Sequence, residues 1–191
     1  EFLFRHILDS ACLNLVFSND FSKDTVLDIG SGAGIPGIPI KFFNPHLKVQ
    51  MIDATRKKTV FINKVSTELE LTDTYAYHGR AEDFAHTPEF RCQFDFVTAR
   101  AVAELPTLLE LMLPFVKKGG YAFAMKGKTV DQEIQKSSKA LFDLGGRISK
   151  IVDPSKVIEN YPGFIVVIEK VKDTPARFPR RNGVPSKSPL I

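Results

Sequence analysis

The sequence of 191 residues contains no tryptophan and only two cysteines, Cys12 and Cys92. These cysteines stand outside any Cys-x-x-Cys or Cys/His ligand spacing, and the four histidines show no zinc pattern, so we expect no metal site. Two free thiols are typical of a protein in a reducing cytoplasm. No apolar run approaches the ~20 residues that span a bilayer, and no secretory signal is visible. We therefore expect a cytoplasmic protein with no metal and no membrane association.

The length and the distribution of charge favour one domain with a basic tail. A hydrophobic content of 43% and a charged content of 25% are ordinary for a globular protein. The net charge of +4 arises in residues 171–191, which hold five basic residues and one acidic residue, while residues 1–170 hold 21 of each sign. We expect one domain over 1–170 and a tail over 171–191 in which four prolines preclude regular structure. Because the chain begins at Glu1 rather than Met, we also expect its true start to be missing.

A glycine-rich turn near the start of the chain predicts a nucleotide site. A short apolar run from Val26 includes Asp28 and then turns at once into a glycine loop, which is needed where a ligand lies against the backbone. Such a loop alone also occurs as a plain surface turn. Asp53 closes a second apolar run about 20 residues later, where nucleotide-binding folds place the carboxylate that accepts from ribose hydroxyls. The glycines of the loop are Gly30, Gly32 and Gly34.

The turn is compatible with two nucleotide classes, a dinucleotide and S-adenosylmethionine (SAM). Pro36 and Pro39 allow only a short helix after the loop, whereas the dinucleotide fingerprint seats a pyrophosphate on a long one. The pattern Asp28-x-Gly-x-Gly-x-Gly resembles motif I of class I SAM-dependent methyltransferases. We therefore favour SAM, and an NAD-linked oxidoreductase remains the alternative.

The periodicity of apolar residues predicts an α/β protein. Strand and helix alternate five times, and a strand, a loop and a strand follow. This order predicts a Rossmann-like, doubly wound and mostly parallel sheet in which a final hairpin adds one antiparallel strand. We predict strands from Val26 and at 48–53, 74–78, 94–98, 121–125, 147–152 and 164–170, and helices at 1–19, 36–43, 56–71, 104–116 and 129–144.

Charged residues follow the predicted strands at the edge where such folds bind ligands. Each of these charged residues, taken alone, is as readily explained as a solvated loop residue. Four basic side chains at one edge, however, favour an anionic, RNA-like substrate. Glu82, with the backbone of Ala81, is placed to recognise adenine. Lys117 and Lys118 precede the fifth strand, so we expect them on the opposite edge as surface charges. The four candidate substrate-positioning bases are Lys57, Arg80, Arg100 and Lys126.

The residues after the fourth strand limit the methyl acceptor. Thr98-Ala-Arg-Ala101 stands where methyltransferases of exocyclic amines carry an Asn/Asp-Pro-Pro-Tyr sequence and where cytosine C5 methyltransferases carry a nucleophilic Pro-Cys pair. An acceptor with a free lone pair, such as guanine N7, needs neither device. Catalysis would then come from alignment of the acceptor with the sulfonium.

Seven segments together resemble the bacterial glucose-inhibited division protein B family, the 16S ribosomal RNA guanine-N7 methyltransferases. The resemblance covers essentially the whole chain, and its tail motif and extended Gly-x-Gly-x-Gly-x-Pro-Gly-x-Pro are specific to the family. The segments are His6-x-x-Asp9-Ser10, Asp28 to Pro39, Lys57-Lys58-x-x-Phe61, Gly79-Arg-Ala-Glu82, Ala99-Arg-Ala-Val-Ala103, Lys126-Gly127 and Arg180-Arg-x-Gly-x-Pro-x-Lys-x-Pro-Leu190.

The resemblance implies a SAM cofactor and a guanine of 16S rRNA, in a loop near the decoding centre, as the acceptor. It implies SAM contacts at Gly30, Ile35, Ala81, Glu82 and Arg100. We expect a monomer that acts on 16S rRNA or on the small ribosomal subunit. The family has a helical segment ahead of the His-x-x-Asp-Ser stretch that this chain does not carry, and we expect cofactor binding without it. A catalytically impaired RNA-binding module on the same fold is the alternative. For RNA binding, the candidates in the tail are Arg180, Arg181 and Lys187.

Overall fold

A computed structural model describes residues 2–17, 24–159 and 161–191, with side chains from residue 6 onward. Within these residues the strands form one seven-stranded sheet in the order β3-β2-β1-β4-β5-β7-β6. The first five strands are parallel, and β7 lies antiparallel between β5 and β6. The predicted fold class is therefore confirmed. The strands are β1 Thr25–Ile29, β2 Lys48–Asp53, β3 Thr74–His78, β4 Phe94–Arg100, β5 Val116–Lys126, β6 Gly146–Val152 and β7 Phe164–Lys170.

Helices cover both faces of the sheet. Consecutive residues of a central strand therefore enter different cores: Val26 and Phe96 lie in one apolar cluster, and Leu27 and Val97 lie in the other. In the described part of the chain, no helix combines the length and the apolar character needed to cross a membrane. The helices are α1 Phe2–Ala11, α2 Gly37–Phe43, α3 Arg56–Glu68, α4 Ala81–Phe84, α5 Leu105–Met112, α6 Val130–Gln135, α7 Ser138–Leu144 and α8 Val184–Lys187.

Several helix predictions differ from the structure. The helix predicted at 104–116 ends at Met112 and is followed by a 3₁₀ turn to Phe115, and the helix predicted at 56–71 ends at Glu68. The single helix predicted at 129–144 is divided into α6 and α7, and the Ser137 hydroxyl at the division donates to the Glu133 carbonyl at 2.7 Å. Such back-bonding by serine competes with the regular helix ladder. The helix predicted at 1–19 ends at Ala11 and continues as a 3₁₀ turn to Leu15, while residues 1, 18 and 19 lie outside the described residues.

The fifth strand begins earlier than predicted. Val116 already pairs with Phe94, and a register shift between Phe94 and Phe96 takes up the extra residues. Lys117 and Lys118 therefore lie within β5 rather than before it. They remain at its amino end, where the Lys117 ammonium lies 3.1 Å from the Asp95 carboxylate.

The prediction that the tail has no regular structure is wrong. The tail forms α8, in which Pro185 falls in the first turn, where its missing N–H would have no helical partner in any case. Phe178 and Leu190 are buried in the core cluster beside α5 and α7. The Arg91 guanidinium donates to the carbonyls of Thr174, Pro175 and Phe178, which fixes the first half of the tail.

Candidate active site

The glycine loop after β1 has the backbone that the sequence predicted. Gly30, Gly32 and Gly34 have φ values of 69°, 59° and 86°, in the left-handed region that favours glycine. A Cβ at Gly30 would approach a Val102 methyl carbon to 2.7 Å. The Gly30 N–H donates to the Ile52 carbonyl at 2.8 Å, so the loop turns directly over the end of β2.

Asp53 at the end of β2 fixes the glycine loop. One carboxylate oxygen accepts from the Gly32 N–H at 2.9 Å, and the other accepts from the Thr55 N–H at 2.8 Å. The Lys58 ammonium lies 3.6 Å from the first oxygen. Because a carboxylate offers about four lone-pair positions, Asp53 keeps acceptor capacity for ribose hydroxyls.

Asp28 is buried beneath the same loop. Its Oδ2 accepts from the Gly37 N–H at 3.0 Å and so holds the start of α2. Its Oδ1 is buried and has no hydrogen-bond partner among the described residues. Burial raises the pKa of Asp28 to about 7, although the hydrogen bond from Gly37 opposes that shift.

A first cavity of about 190 Å³ opens at the carboxyl ends of β1, β2 and β3. Four of the predicted cofactor-binding residues line it, whereas Gly32, Gly34 and Ile35 are not among its lining residues. The tail closes one side through Gly183 and Ser186, which the sequence analysis did not identify. The four predicted lining residues are Gly30, Asp53, Ala81 and Glu82, and Arg80 is beside them.

Glu82 connects the cavity to the tail. Its side chain accepts from the Gly183 N–H at 3.0 Å, and Gly183 has a φ of 78°. The only sequence signal for this contact was the glycine inside the tail motif, which stands between Arg181 and Pro185. The tail is therefore part of the wall of the first cavity.

Lys126 does not present a free charge at this edge, contrary to the prediction. Its ammonium lies 2.6 Å from a Glu133 carboxylate oxygen and donates to the Ala103 carbonyl at 2.8 Å. The same Glu133 accepts from the Leu105 N–H at 2.7 Å. Burial raises the pKa of Glu133, but the hydrogen bonds from Lys126 and Leu105 outweigh burial and hold the pKa below its ordinary value. Lys126 thus fixes the segment that begins α5.

Arg100 at the end of β4 is also paired. Its guanidinium lies 2.5 Å from the Asp9 carboxylate of α1. The two side chains line a second cavity of about 490 Å³, together with Lys126 and Tyr161. The structure therefore places Arg100 in this cavity rather than among the residues that line the first one. Asp9 belongs to the His-x-x-Asp-Ser segment, and only the fold brings it to Arg100.

The segment from Arg100 to Ala103 separates the two cavities. Val102 and Ala103 line the first cavity, and Arg100 and Ala101 line the second. Ala101 has a φ of 55°, which turns the backbone between the two sides. Two ligands bound in these cavities would therefore lie on opposite sides of one short stretch of chain.

The other lysines and arginines that were predicted to contact the substrate or the RNA differ in their surroundings. Lys57 and Arg80 are exposed, as are Arg181 and Lys187 of the tail. Arg180 forms a bidentate pair with Glu110 of α5, with nitrogen to oxygen distances of 2.9 and 2.7 Å. Its charge therefore serves to dock the tail. No group of three or more His, Cys, Asp or Glu side chains in the described ranges is arranged to hold a metal ion.

Solved structures show the same fold. A SAM-dependent methyltransferase from Aquifex aeolicus superposes with a TM-score of 0.58 at 19% identity, over 85% of this chain and 98% of that chain. Geranyl diphosphate C-methyltransferase from Streptomyces coelicolor A3(2), in complex with S-adenosyl-L-homocysteine, gives a TM-score of 0.64 at 15% identity, over 86% and 79%. The fold, with an acid-lined cavity at its glycine loop, is that of the class I SAM-dependent methyltransferases.

The family match is more specific. The family described as GidB, rRNA small subunit methyltransferase G, matches residues 1–159. Ribosomal RNA small subunit methyltransferase G of Acetivibrio thermocellus is 41% identical over 190 residues, which is 100% of this chain and 77% of that protein. The protein of the same name from Geobacillus sp. (strain WCH70) is 43% identical over 187 residues, which is 97% of this chain and 78% of that protein. The chain belongs to the GidB family of methyltransferases, which confirms the predicted family.

Proposed function

We propose that the protein transfers a methyl group from SAM to N7 of a guanine in 16S ribosomal RNA. The family membership supports an rRNA methyltransferase. The observation that carries the proposal is the pair of cavities on the two sides of the Arg100 to Ala103 segment. The first cavity suits a cofactor and the second suits an acceptor base, because methyl transfer requires the two reacting groups to meet across a short distance.

The residues of the first cavity fit SAM. The Asp53 carboxylate would accept from ribose hydroxyls with the lone pairs that Gly32 and Thr55 leave available. Glu82 and the backbone of Ala81 would hold adenine. Gly30 allows close approach of the cofactor to the backbone. When bound, SAM supplies the methyl group on a positively charged sulfur.

The second cavity fits a base that reacts through a free lone pair. Guanine N7 carries no proton, so the site needs no general base to prepare it. Methylation leaves the ring with a positive charge, and a cluster of unpaired lysine or arginine side chains beside it would disfavour that charge. Arg100 and Lys126 are each paired with a carboxylate, from Asp9 and Glu133, so their surroundings are close to neutral. The candidates for binding RNA phosphates are then the exposed basic side chains of Lys57, Arg80, Arg181 and Lys187.

Transfer of a tritiated methyl group to small ribosomal subunits that lack the modification tests the proposal. We expect incorporation into 16S rRNA, and cleavage with borohydride and aniline followed by reverse transcription should map it to one guanine N7. Naked 16S rRNA in a parallel reaction shows whether the assembled subunit is required. RNA that binds without incorporation of label would favour the non-catalytic RNA-binding module instead.

A further inference from the structure

Asp9 and Arg100 form an unusual pair on the wall of the second cavity. Their carboxylate and guanidinium side chains are 12% and 20% exposed, so both are largely buried yet reach the cavity. Arg100 leaves the sheet at the end of β4, and Asp9 comes from α1. The pair therefore presents hydrogen-bond donors and acceptors side by side to whatever enters the cavity.

Asp9 supplies the acidic charge of this part of the wall. The Tyr161 hydroxyl and the Cys12 thiol lie near the Asp9 carboxylate. Burial raises the pKa of Cys12 to about 11 and also raises the pKa of Tyr161. Both groups are therefore neutral at pH 7, and Tyr161 remains a donor. The Asp9 carboxylate is therefore paired with the Arg100 guanidinium and lies beside the neutral Tyr161 hydroxyl.

The Watson–Crick edge of guanine presents hydrogen-bonding groups in an order that matches this ion pair. It carries the O6 acceptor, then the N1–H donor, then the N2 amino donor. A guanidinium beside a carboxylate presents a donor for O6 and two acceptor oxygens for N1–H and the amino group. Adenine has an amino donor and a bare N1 acceptor in the first two places, so it would set a donor against the guanidinium and an acceptor against the carboxylate.

We propose that Asp9 selects guanine by accepting hydrogen bonds from its N1–H and N2 amino groups, while Arg100 donates to O6. The inference rests on the proposed function and adds the residues that read the acceptor base. Gripping this edge leaves N7 without a hydrogen-bond partner, as methyl transfer to its lone pair requires. It also requires the base to leave its stack in the RNA, because the same edge is used in base pairing.

Inosine is the probe that separates recognition by Asp9 from a merely structural ion pair, because it lacks only the N2 amino group of guanosine. After the methylated guanine has been mapped, small-subunit rRNA is prepared by splinted ligation with guanosine or inosine at that nucleotide and is reconstituted into small subunits. We expect wild-type kcat/KM to be about tenfold or more lower on the inosine RNA. Asp9→Ala should be less active on the guanosine RNA and should treat the two RNAs nearly equally.

Three controls make the result decisive. Calorimetric titration with SAM shows that each variant is folded, and Asp9→Asn, which keeps the side-chain volume, replaces Asp9→Ala if the smaller residue does not fold. The Asn variant should also lose the preference for guanosine, since its amide presents an acceptor and a donor instead of two acceptors. Glu169→Ala breaks an exposed ion pair with Arg147 on β6 and should keep the wild-type preference.

The outcomes distinguish this inference from the proposed function. If wild type methylates the guanosine RNA and the ratio between the two RNAs is unchanged in both Asp9 variants, Asp9 only orients Arg100 and the inference is overturned while the proposed function stands. If wild type incorporates no methyl group into small subunits in the mapping reaction, the proposed function fails and the inference fails with it.

Discussion

Arg180 and Glu110 join the tail to the body of the protein through a bidentate ion pair. The Glu110 side chain is fully buried on α5, and it also accepts from the Arg180 backbone N–H at 2.8 Å. A buried carboxylate that loses its partner pays a large desolvation cost. The tail is therefore an integral part of the folded domain, although its composition resembles that of a flexible basic arm.

Arg180→Ala should strongly destabilise the protein. The variant leaves the Glu110 carboxylate buried with one remaining hydrogen bond, so we expect the free energy of unfolding to fall by about 3 kcal/mol. Urea unfolding followed by circular dichroism measures the change. Arg181→Ala, which alters the exposed neighbouring base, should change it by no more than about 0.5 kcal/mol. Equal effects of the two substitutions would show that the ion pair does not hold the tail.

Asp53→Ala should weaken SAM binding by about 1 to 3 kcal/mol. The variant loses the acceptor for ribose hydroxyls and also the bond to the Gly32 N–H that shapes the glycine loop. Isothermal titration calorimetry measures the affinity. Glu68→Ala removes an exposed acid of α3 that pairs with Lys64 and serves as the matched control. Unchanged affinity in Asp53→Ala would reduce Asp53 to a purely structural residue.

Lys126→Ala should lower stability more than SAM affinity. It leaves the Glu133 carboxylate without its cation and the Ala103 carbonyl without its donor, at a cost of about 3 kcal/mol. Thermal unfolding and SAM titration separate the two effects, and Lys128→Ala, an exposed lysine two residues away, is the control. A variant of wild-type stability that fails only in methyl transfer would restore Lys126 as a direct substrate contact.

Arg181→Ala combined with Lys187→Ala should weaken RNA binding without affecting SAM. Both side chains are exposed on the tail, and each lost phosphate contact should reduce the slope of log affinity against log salt by about 1. Filter binding of 16S rRNA at several salt concentrations measures the slope. A double variant with the wild-type slope would place the RNA on another face of the protein.

Asp28 should make the ligand-free protein less stable as the pH rises. Its pKa is about 7 in the folded protein and 3.8 ordinarily, so the folded state keeps a proton that the unfolded chain releases between these values. The contribution is fully present below about pH 4 and is lost as the pH rises through about 7. The Asp28→Asn variant cannot ionise at this position and does not lose this contribution. The free energy of unfolding of the variant minus that of wild type should therefore rise as the pH increases over this range.

Urea unfolding of wild type and of Asp28→Asn at several pH values between about 4 and 8 gives the difference in their free energies of unfolding. Groups that titrate alike in both proteins contribute equally to the two values and cancel in this difference. Asp131→Asn, at an exposed carboxyl on α6, should run parallel to wild type. An Asp28→Asn curve that also runs parallel would mean that Asp28 is ionised in the folded state, despite its burial.

The strands whose ends are marked by a turn or a charged residue were the most predictable from sequence. The bounds of β2, β3 and β7 agree with their predicted ranges, because each is a short apolar-rich run that ends at a turn or a charged residue. The division of α6 from α7 was not predictable in the same way. It depends on the Ser137 hydroxyl and on the contacts of Glu133, which periodicity does not report.

The candidate site was predictable in position but not in its pairings. The order of strands brings Asp53, Glu82 and Arg100 to one edge whatever the side chains do afterwards. Whether a basic side chain at that edge lacks an acidic partner depends on residues that are distant in sequence. Asp9 neutralises Arg100 from 91 positions earlier, and Gly183 reaches Glu82 from 101 positions later. Such partners follow from packing and leave no local pattern.

The left-handed backbone at Ala101 lies between the residues that line the two cavities. For an L-residue that conformation costs about 1 kcal/mol, and the chain accepts the cost at one position with Arg100 on one side and Val102 on the other. A regular strand continued past Arg100 would extend β4 and send successive side chains to alternate faces of the sheet. The turn at Ala101 ends β4 instead, so a single residue of left-handed backbone separates Arg100, which lines the second cavity, from Val102, which lines the first.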